Sequence, residues 1–457
     1  MDDGPVGLIQ MIKSTLVLVL FLALVTVPAC ASSISAATVY TVNPGNYLAR
    51  LRILEPGATV RLMPGEYRNG LPVQYLRGTA EAPVMIHGPE TGPRAVFLAR
   101  PGHNTVSIVN SSYVTIRNVD LEGRNLRVDG VKCEGHADWA HHITLDGLRV
   151  RGHGNNQQTV AISTKCPAWG WVIRNSVITG AGTGLYLGNS DGRAPFVAGV
   201  IEHNLIVDTI GYNLQIKHQQ LRPSLPEMPD GASATIIRHN VFSKTNGGSK
   251  EMARPNVLVG HWPLAGHGSD DRYLVYGNFF YQNQHESLFQ GEGNIALYNN
   301  LFVNDSGDAI RIRPHNDKVR SISVFYNTIV AAGAGISLSR GDDDSSCQQW
   351  AKGNEVFAHA PLAGFGYEGN LVGKYEEAVN YLIKSRAPLG ELNLLPGFRA
   401  RTRAGGRDEP RVGAFPDALL DFDGDMRETA GLGAYALDKS QPRWRPTLEI
   451  KPVRDKP

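Results

Sequence analysis

Cysteine is scarce in this chain: 4 among 457 residues, with no Cys-x-x-Cys pair and no Cys/His set of zinc-ligand spacing. That argues against a zinc module. Excess charge is also missing, since the net charge is only +2, and a general nucleic-acid binder needs a basic stripe. The apolar run Leu16–Val27, at 12 residues, is too short to cross a bilayer comfortably. Its setting, with Lys13 before it and small residues (ACASSISAA) after it, is that of a secretory signal peptide. Residues 1–37 are therefore expected to be a targeting segment. The first ten residues carry Asp2 and Asp3 and no basic residue, which points to Met11 as the natural start. VPAC at 27–30 resembles a lipobox that would make Cys30 a lipid anchor, and cleavage after Ala31 or Ala37 is the alternative. Either route exports the mature protein to the medium, periplasm or outer envelope of a bacterium.

What the chain has in abundance is glycine, with 50 residues, together with asparagine at turns and β-branched residues in short alternating runs. One phrase recurs: VTIRNVDL, WVIRNSVI, TIIRHNVF, YLVYGNFF, IALYNNLF and ISVFYNTI. Anchored on Asn118, Gly147, Asn175, Asn204, Asn240, Asn278, Asn300 and Asn327, it returns every 22 to 38 residues. Self-similarity at such a period reports stacked supersecondary units. Alternation of apolar and polar residues on both sides of the Asn excludes helix there and predicts half-buried strands. After the Asn come a Gly-rich turn and a further strand, as in GLYLGN, NLQIKH, AIRIRP and GISLSR, giving about three strands per repeat. Stacked coils would place the Asn residues one above another, where their amides can form a hydrogen-bonded ladder.

This pattern resembles the right-handed parallel β-helix proteins of the pectate lyase and chondroitinase B-like superfamily, over residues 38–436. The resemblance implies an all-β, single-stranded right-handed parallel β-helix, closed at its N-terminal end by a short helix at about Tyr47–Leu54. Residues 437–457 are read as a C-terminal tail. An open solenoid end would expose core and strand edges, so caps are physically required. DFDGD at 421–425 lacks the rest of a calcium-loop ligand pattern and reads as a turn. Cys133 and Cys166 close consecutive strand segments, GVKC and STKC, and are either a disulfide or two reduced core thiols.

In such a fold the strand after the Gly-rich turn would floor a substrate cleft. With Leu185, Leu187, Leu214, Ile216, Val257, Val259, Ile310, Ile312, Ile336 and Leu338 inward, alternation turns Lys132, Glu134, Ser163, Lys165, Tyr186, Gln215, Lys217, Arg311, Arg313, Ser337 and Ser339 outward. A strip of cations with a tyrosine for sugar stacking suits an acidic polysaccharide. Insertions at 219–234, 244–255 and 262–272 flank the strands bearing Lys217 and His261, which places the expected cleft centre there.

The resemblance implies a monomeric polysaccharide lyase. Lys217 is the expected base, with Arg311 and Arg313 as a carboxylate clamp and His261 and His267 as further catalytic candidates. Lys132, Lys165, Tyr186, Gln215, His218 and His315 are expected to bind substrate, and Asp191 and Glu292 to hold a calcium ion if one is used. A polygalacturonase-like hydrolase is the alternative, on Asn189-Ser190-Asp191, Gly266-His267-Gly268, Asp270-Asp271 and Arg311-Ile312-Arg313, although the order of these motifs departs from that family's. A uronate C5-epimerase and a non-catalytic glycan-binding envelope protein remain open.

Overall fold

In the computed structural model, the chain is described at residues 38–339, 347–404, 412–428 and 431–453. The expected targeting segment, with Met11 and Cys30, lies outside these residues. So do the last four residues of the expected tail.

Strand pairing is parallel throughout the body of the molecule. One 15-stranded sheet runs from Val39–Val42 to Tyr367–Glu368, and a 21-stranded sheet contains two further ladders. Among the described residues, those two ladders are joined only near the C-terminal end. There Thr328–Leu338 pairs with Leu301–Asn304 through its first residues and with Ile310–Ile312 through its last. The three ladders are the three faces of a right-handed parallel β-helix. A single coil reads Val200–Glu202 in the first face, Leu205–Val207 in the second and Leu214–Ile216 in the third.

Inward residues fill one continuous core. Ile201, Ile206, Leu214 and Ile216 of that coil are all buried, as are their equivalents above and below. The helix Tyr47–Leu51 closes the N-terminal end by burying Tyr47 and Leu51, and the Tyr47 hydroxyl donates to the Gly70 carbonyl at 2.6 Å. The parallel ladders end at Leu371–Gly373. Beyond them the chain doubles back along the outer side of the second face. Tyr381, Leu394, Phe422, Tyr435 and Trp444 pack there on Leu205, Val241, Phe279, Leu301, Val330 and Phe357. Lys451 donates to the Gly277 carbonyl at 2.9 Å, so the returning strap reaches the middle of the solenoid.

The corner between the first and second faces explains the recurrent asparagine. Asn204, Asn240, Asn278, Asn300, Asn327 and Asn354 each donate a side-chain N–H to the carboxamide oxygen of the next, at 2.9 to 3.0 Å, ending on Asn370. Each also bonds backbone carbonyls, so every buried amide is satisfied. Register corrects the alignment read from sequence. Arg117, Asp146, Arg174, Glu202 and Arg238 form one column, so Asn118, Gly147 and Asn175 align with His203 and His239 rather than with the ladder. That preceding column carries positive φ (Asn118 54°, Gly147 67°, Asn175 52°, His203 51°, His239 55°), a conformation that asparagine and glycine enter most easily. Two adjacent columns therefore both favour Asn, for different reasons.

DFDGD is a turn stabilised by a lysine. Lys439 Nζ lies 3.0, 2.8 and 2.6 Å from Asp421, Asp423 and Asp425, occupying the centre of the three carboxylates. Cys133 and Cys166 form a disulfide between neighbouring coils, with Cα atoms 5.9 Å apart. No helix among the described residues is long and apolar enough to cross a membrane.

Candidate active site on the third face

Outward side chains of the third face form a column set by strand register. Ser107, Lys132, Ser163, Tyr186, Gln215, Leu258, Gln290, Arg311 and Ser337 succeed one another along the solenoid. Two residues further along each strand lies a second column containing Lys165, Lys217, Glu292 and Arg313. Alternation predicts both columns, because every inward partner is packed in the core.

Lys132, Lys165, Tyr186 and Gln215 converge on one polar cleft of about 490 Å³, together with Asp129, Ser190, Tyr212 and Arg254. Its floor is the third face, and Arg254 and Met252 come from the 244–255 insertion. Lys165 Nζ sits 3.3 Å from the centre of the Tyr186 ring. Burial pulls Lys165 down to about 8, with Asp129 opposing and Lys132 and Lys217 adding to the shift. Tyr186 is raised by burial, against a hydrogen bond with Ser190, so its phenol stays protonated at neutral pH. Asp129 is buried and fully committed: it accepts from Val160 N and Ser163 Oγ at 2.9 Å and faces Lys132 Nζ at 3.6 Å. A neighbouring hollow of about 540 Å³, sharing Asn104 and lined by Arg100, His103, Glu134 and His136, extends the groove toward the N-terminal end.

The remaining sequence candidates are distributed along the groove. Lys217 is half-buried, lowered by desolvation and opposed by the charge of Glu292. Gly188 and Gly260 flank it on adjacent coils, and a Cβ at Gly188 would lie 3.4 Å from that of Lys217. His218 stacks on His261 at 5.4 Å, and His261 Nδ1 is bonded to the Trp262 carbonyl at 2.8 Å. His267 is exposed on its loop beside Asp230 at 3.2 Å.

Arg311 and Arg313 do not act as a free pair. Arg311 is held by Glu286 at 3.1 Å and by Asp308 at 3.5 Å, whereas Arg313 is exposed without an ion pair among the described residues. Glu292 is buried, and one of its carboxylate oxygens accepts the backbone N–H groups of His315, Asn316 and Asp317 at 2.8 to 3.0 Å. Its role is to shape that loop. Asp191 caps its own turn by accepting from Arg193 N at 2.9 Å. Among the described residues, Asp191 and Glu292 do not belong to any group of three metal-ligating side chains; one such group lies elsewhere, at His141, His142 and Glu227.

The sequence places the cleft centre at Lys217 and His261, whereas the polar cleft gathers Lys132, Lys165, Tyr186 and Gln215. The contact of Lys165 with the Tyr186 ring and the arrival of Arg254 from the 244–255 insertion are not legible in the sequence, because they depend on how separate coils and a loop pack together. The hydrolase motifs also scatter, since Asp271 is buried against Arg222 and Ser233.

No family model and no curated protein matches this chain. Solved structures to which this chain is similar include the alginate lyase AlyGC of polysaccharide lyase family 6 (14% identity, TM-score 0.46, covering 73% of this chain and 51% of that one). The A-module of the Azotobacter vinelandii mannuronan C-5 epimerase AlgE4 gives 17% identity and a TM-score of 0.42, over 73% of this chain and 89% of that one. Pectate lyase Pel9A gives 12% and 0.41, over 89% and 91%. The chain spans about half the length of AlyGC. The parallel β-helix itself rests on the strand pairing of this chain.

Proposed function

We propose that the protein is an exported lyase that cleaves a uronate-containing polysaccharide by β-elimination in the cleft around Lys165. The observation that carries this reading is Lys165 itself, an amine held near 8 among further cations and against a protonated phenol. Elimination needs a base for the proton α to the carboxyl group, positive charge for the enolate-like intermediate, and an acid for the leaving glycosidic oxygen. Neutral Lys165 supplies the base. Lys132 and Arg254 supply charge to the carboxylate, and Tyr186 supplies the proton to the leaving oxygen. Substrate entering the cleft displaces the contact between the Lys165 amine and the ring.

Hydrolysis is the weaker reading. A glycosidase places two carboxyl groups across the bond, and Asp129, already bonded three ways, is the one carboxylate among the described residues lining the cleft. Epimerisation shares the first proton transfer and differs only in returning the proton to carbon. The Cys133–Cys166 disulfide supports export to an oxidising compartment.

The test is incubation with a panel of polyuronates, with and without calcium, following ultraviolet absorbance of unsaturated sugar and reducing ends together. Both should rise. Reducing ends alone would mean hydrolysis. Altered uronate stereochemistry with neither signal would mean epimerisation, and binding without any chemical change would leave a glycan-binding protein.

A further inference from the structure

Away from this cleft, three side chains converge on the outer surface of the first face. His141 Nδ1 lies 2.8 Å from His142 Nδ1, and ligand atoms of His141, His142 and Glu227 all fall within 4.8 Å of one another. Sequence neighbours in a strand normally point to opposite faces. Here His142 takes a positive φ of 51°, which brings its ring to the same side as that of His141. Tyr113, on the adjacent coil, has the same conformation at 53° and stacks on His142 at 4.4 Å with the rings 5° from parallel. The next coil carries Gly170 there, where a Cβ would come within 2.8 Å of the His142 ring. Backbone and neighbours on both sides thus fix His142 in place.

Glu227 arrives from the 219–234 insertion. Leu225 and Met228 on either side of it pack on Trp169 and Val197, which delivers the carboxylate to the histidines. The Tyr113 hydroxyl donates to one Glu227 oxygen at 2.6 Å and leaves the other available. His141 is stacked on Trp169 at 4.5 Å and buried. The 2.8 Å contact makes one imidazole the donor to the other, a hydrogen bond that a bound ion would replace. Arg77, over the Trp139 ring at 4.2 Å, is the nearby cation that opposes a bound ion.

We propose that His141, His142 and Glu227 form a binding site for a divalent transition metal of the zinc type, which pins the 219–234 insertion to the first face. Two imidazole nitrogens and one carboxylate are a zinc-type donor set that leaves a fourth position for water, whereas calcium and magnesium prefer all-oxygen ligation. Tyr113 orients the carboxylate from outside the coordination sphere. The pinned insertion begins two residues after Lys217, and Gln219 N donates to the His261 carbonyl at 2.9 Å. The ion therefore restrains the segment that follows the third-face strand bearing Gln215 and Lys217.

Titration of metal-stripped full-length protein with Zn²⁺ and Co²⁺, read by calorimetry and by the visible absorption of cobalt, tests this. One equivalent of each ion should bind with a tetrahedral cobalt spectrum, and protease cleavage within 219–234 should slow at least tenfold. His141→Ala and Glu227→Gln should each weaken binding at least 100-fold and 10-fold respectively, while Tyr113→Phe should weaken it several-fold. Glu227→Gln lies on the exposed loop and keeps the test open if the histidine variant fails to fold. Absence of stoichiometric binding, binding unaffected by Glu227→Gln, or a preference for Ca²⁺ over Zn²⁺ would each overturn the proposal.

Discussion

Lys165 Nζ rests 3.3 Å from the centre of the Tyr186 ring on the next coil, in a cleft that also gathers Lys132, Gln215, Tyr212 and Arg254. The contact hides the amine from water and lets an adjacent phenol share its site. Lys165→Met should abolish turnover, by roughly 100-fold or more, with the melting temperature retained. Tyr186→Phe should lower kcat more than it raises KM. Full activity in Lys165→Met would remove this residue from the chemistry.

The pH dependence follows from the same residue. Because its folded-state value is near 8 and an unfolded lysine titrates near 10.5, the neutral base accumulates as pH rises through about 8, and kcat should climb there. The sign for stability is the same. Between about 8 and 10.5 the unfolded chain holds more protons, so Lys165 makes folding more favourable with rising pH across that window. A kcat profile that is flat from pH 6 to 9 would contradict its role as base.

Arg313 lies five coils along the third face from the Lys165 coil, a distance of roughly 24 Å at about 4.8 Å per coil. Arg313→Ala should therefore raise KM for long polymer several-fold while leaving short oligosaccharides unchanged. Arg311→Ala should act differently, because it abandons Glu286 and Asp308 to face each other without their cation. Kinetics on size-fractionated substrate separate the two.

Asn278 sits mid-ladder. Its amide donates to Ile237 O, Tyr276 O and Asn300 Oδ1 at 2.9 to 3.0 Å and its oxygen accepts from Asn240. Asn278→Ala strands buried partners on both sides and should cost at least about 3 kcal/mol in denaturant unfolding. Asn118→Gly, in the positive-φ column, should stay within about 1 kcal/mol of the parent. Equal losses at the two positions would show that the columns are not distinct.

The Cys133–Cys166 disulfide joins residues 33 apart in sequence. Replacing both by serine should cost about 3 to 4 kcal/mol in the chain-entropy account. Unchanged unfolding of the double variant under non-reducing conditions would refute that contribution.

The amino-acid sequence by itself determined the solenoid. Alternation around Asn204, Asn240 and Asn278 set strand identity and the direction of side chains such as Lys132, Tyr186 and Arg311, because a period of 2 fixes the face a residue takes wherever the backbone stays extended. It could not separate two columns one residue apart, since a positive-φ corner and an amide ladder both accept asparagine for unrelated reasons. Tertiary structure decided which outward residues meet. Lys165 met the Tyr186 ring in a cleft that the 244–255 insertion helps to line, and Glu292 was drawn away to three backbone N–H groups of a loop. Arg311 was neutralised by Glu286 and Asp308, and Glu227 reached His141 across 86 residues of chain. Proximity of that kind is created by chain folding across coils, and charges that meet this way shift one another only once the solenoid has closed beneath them.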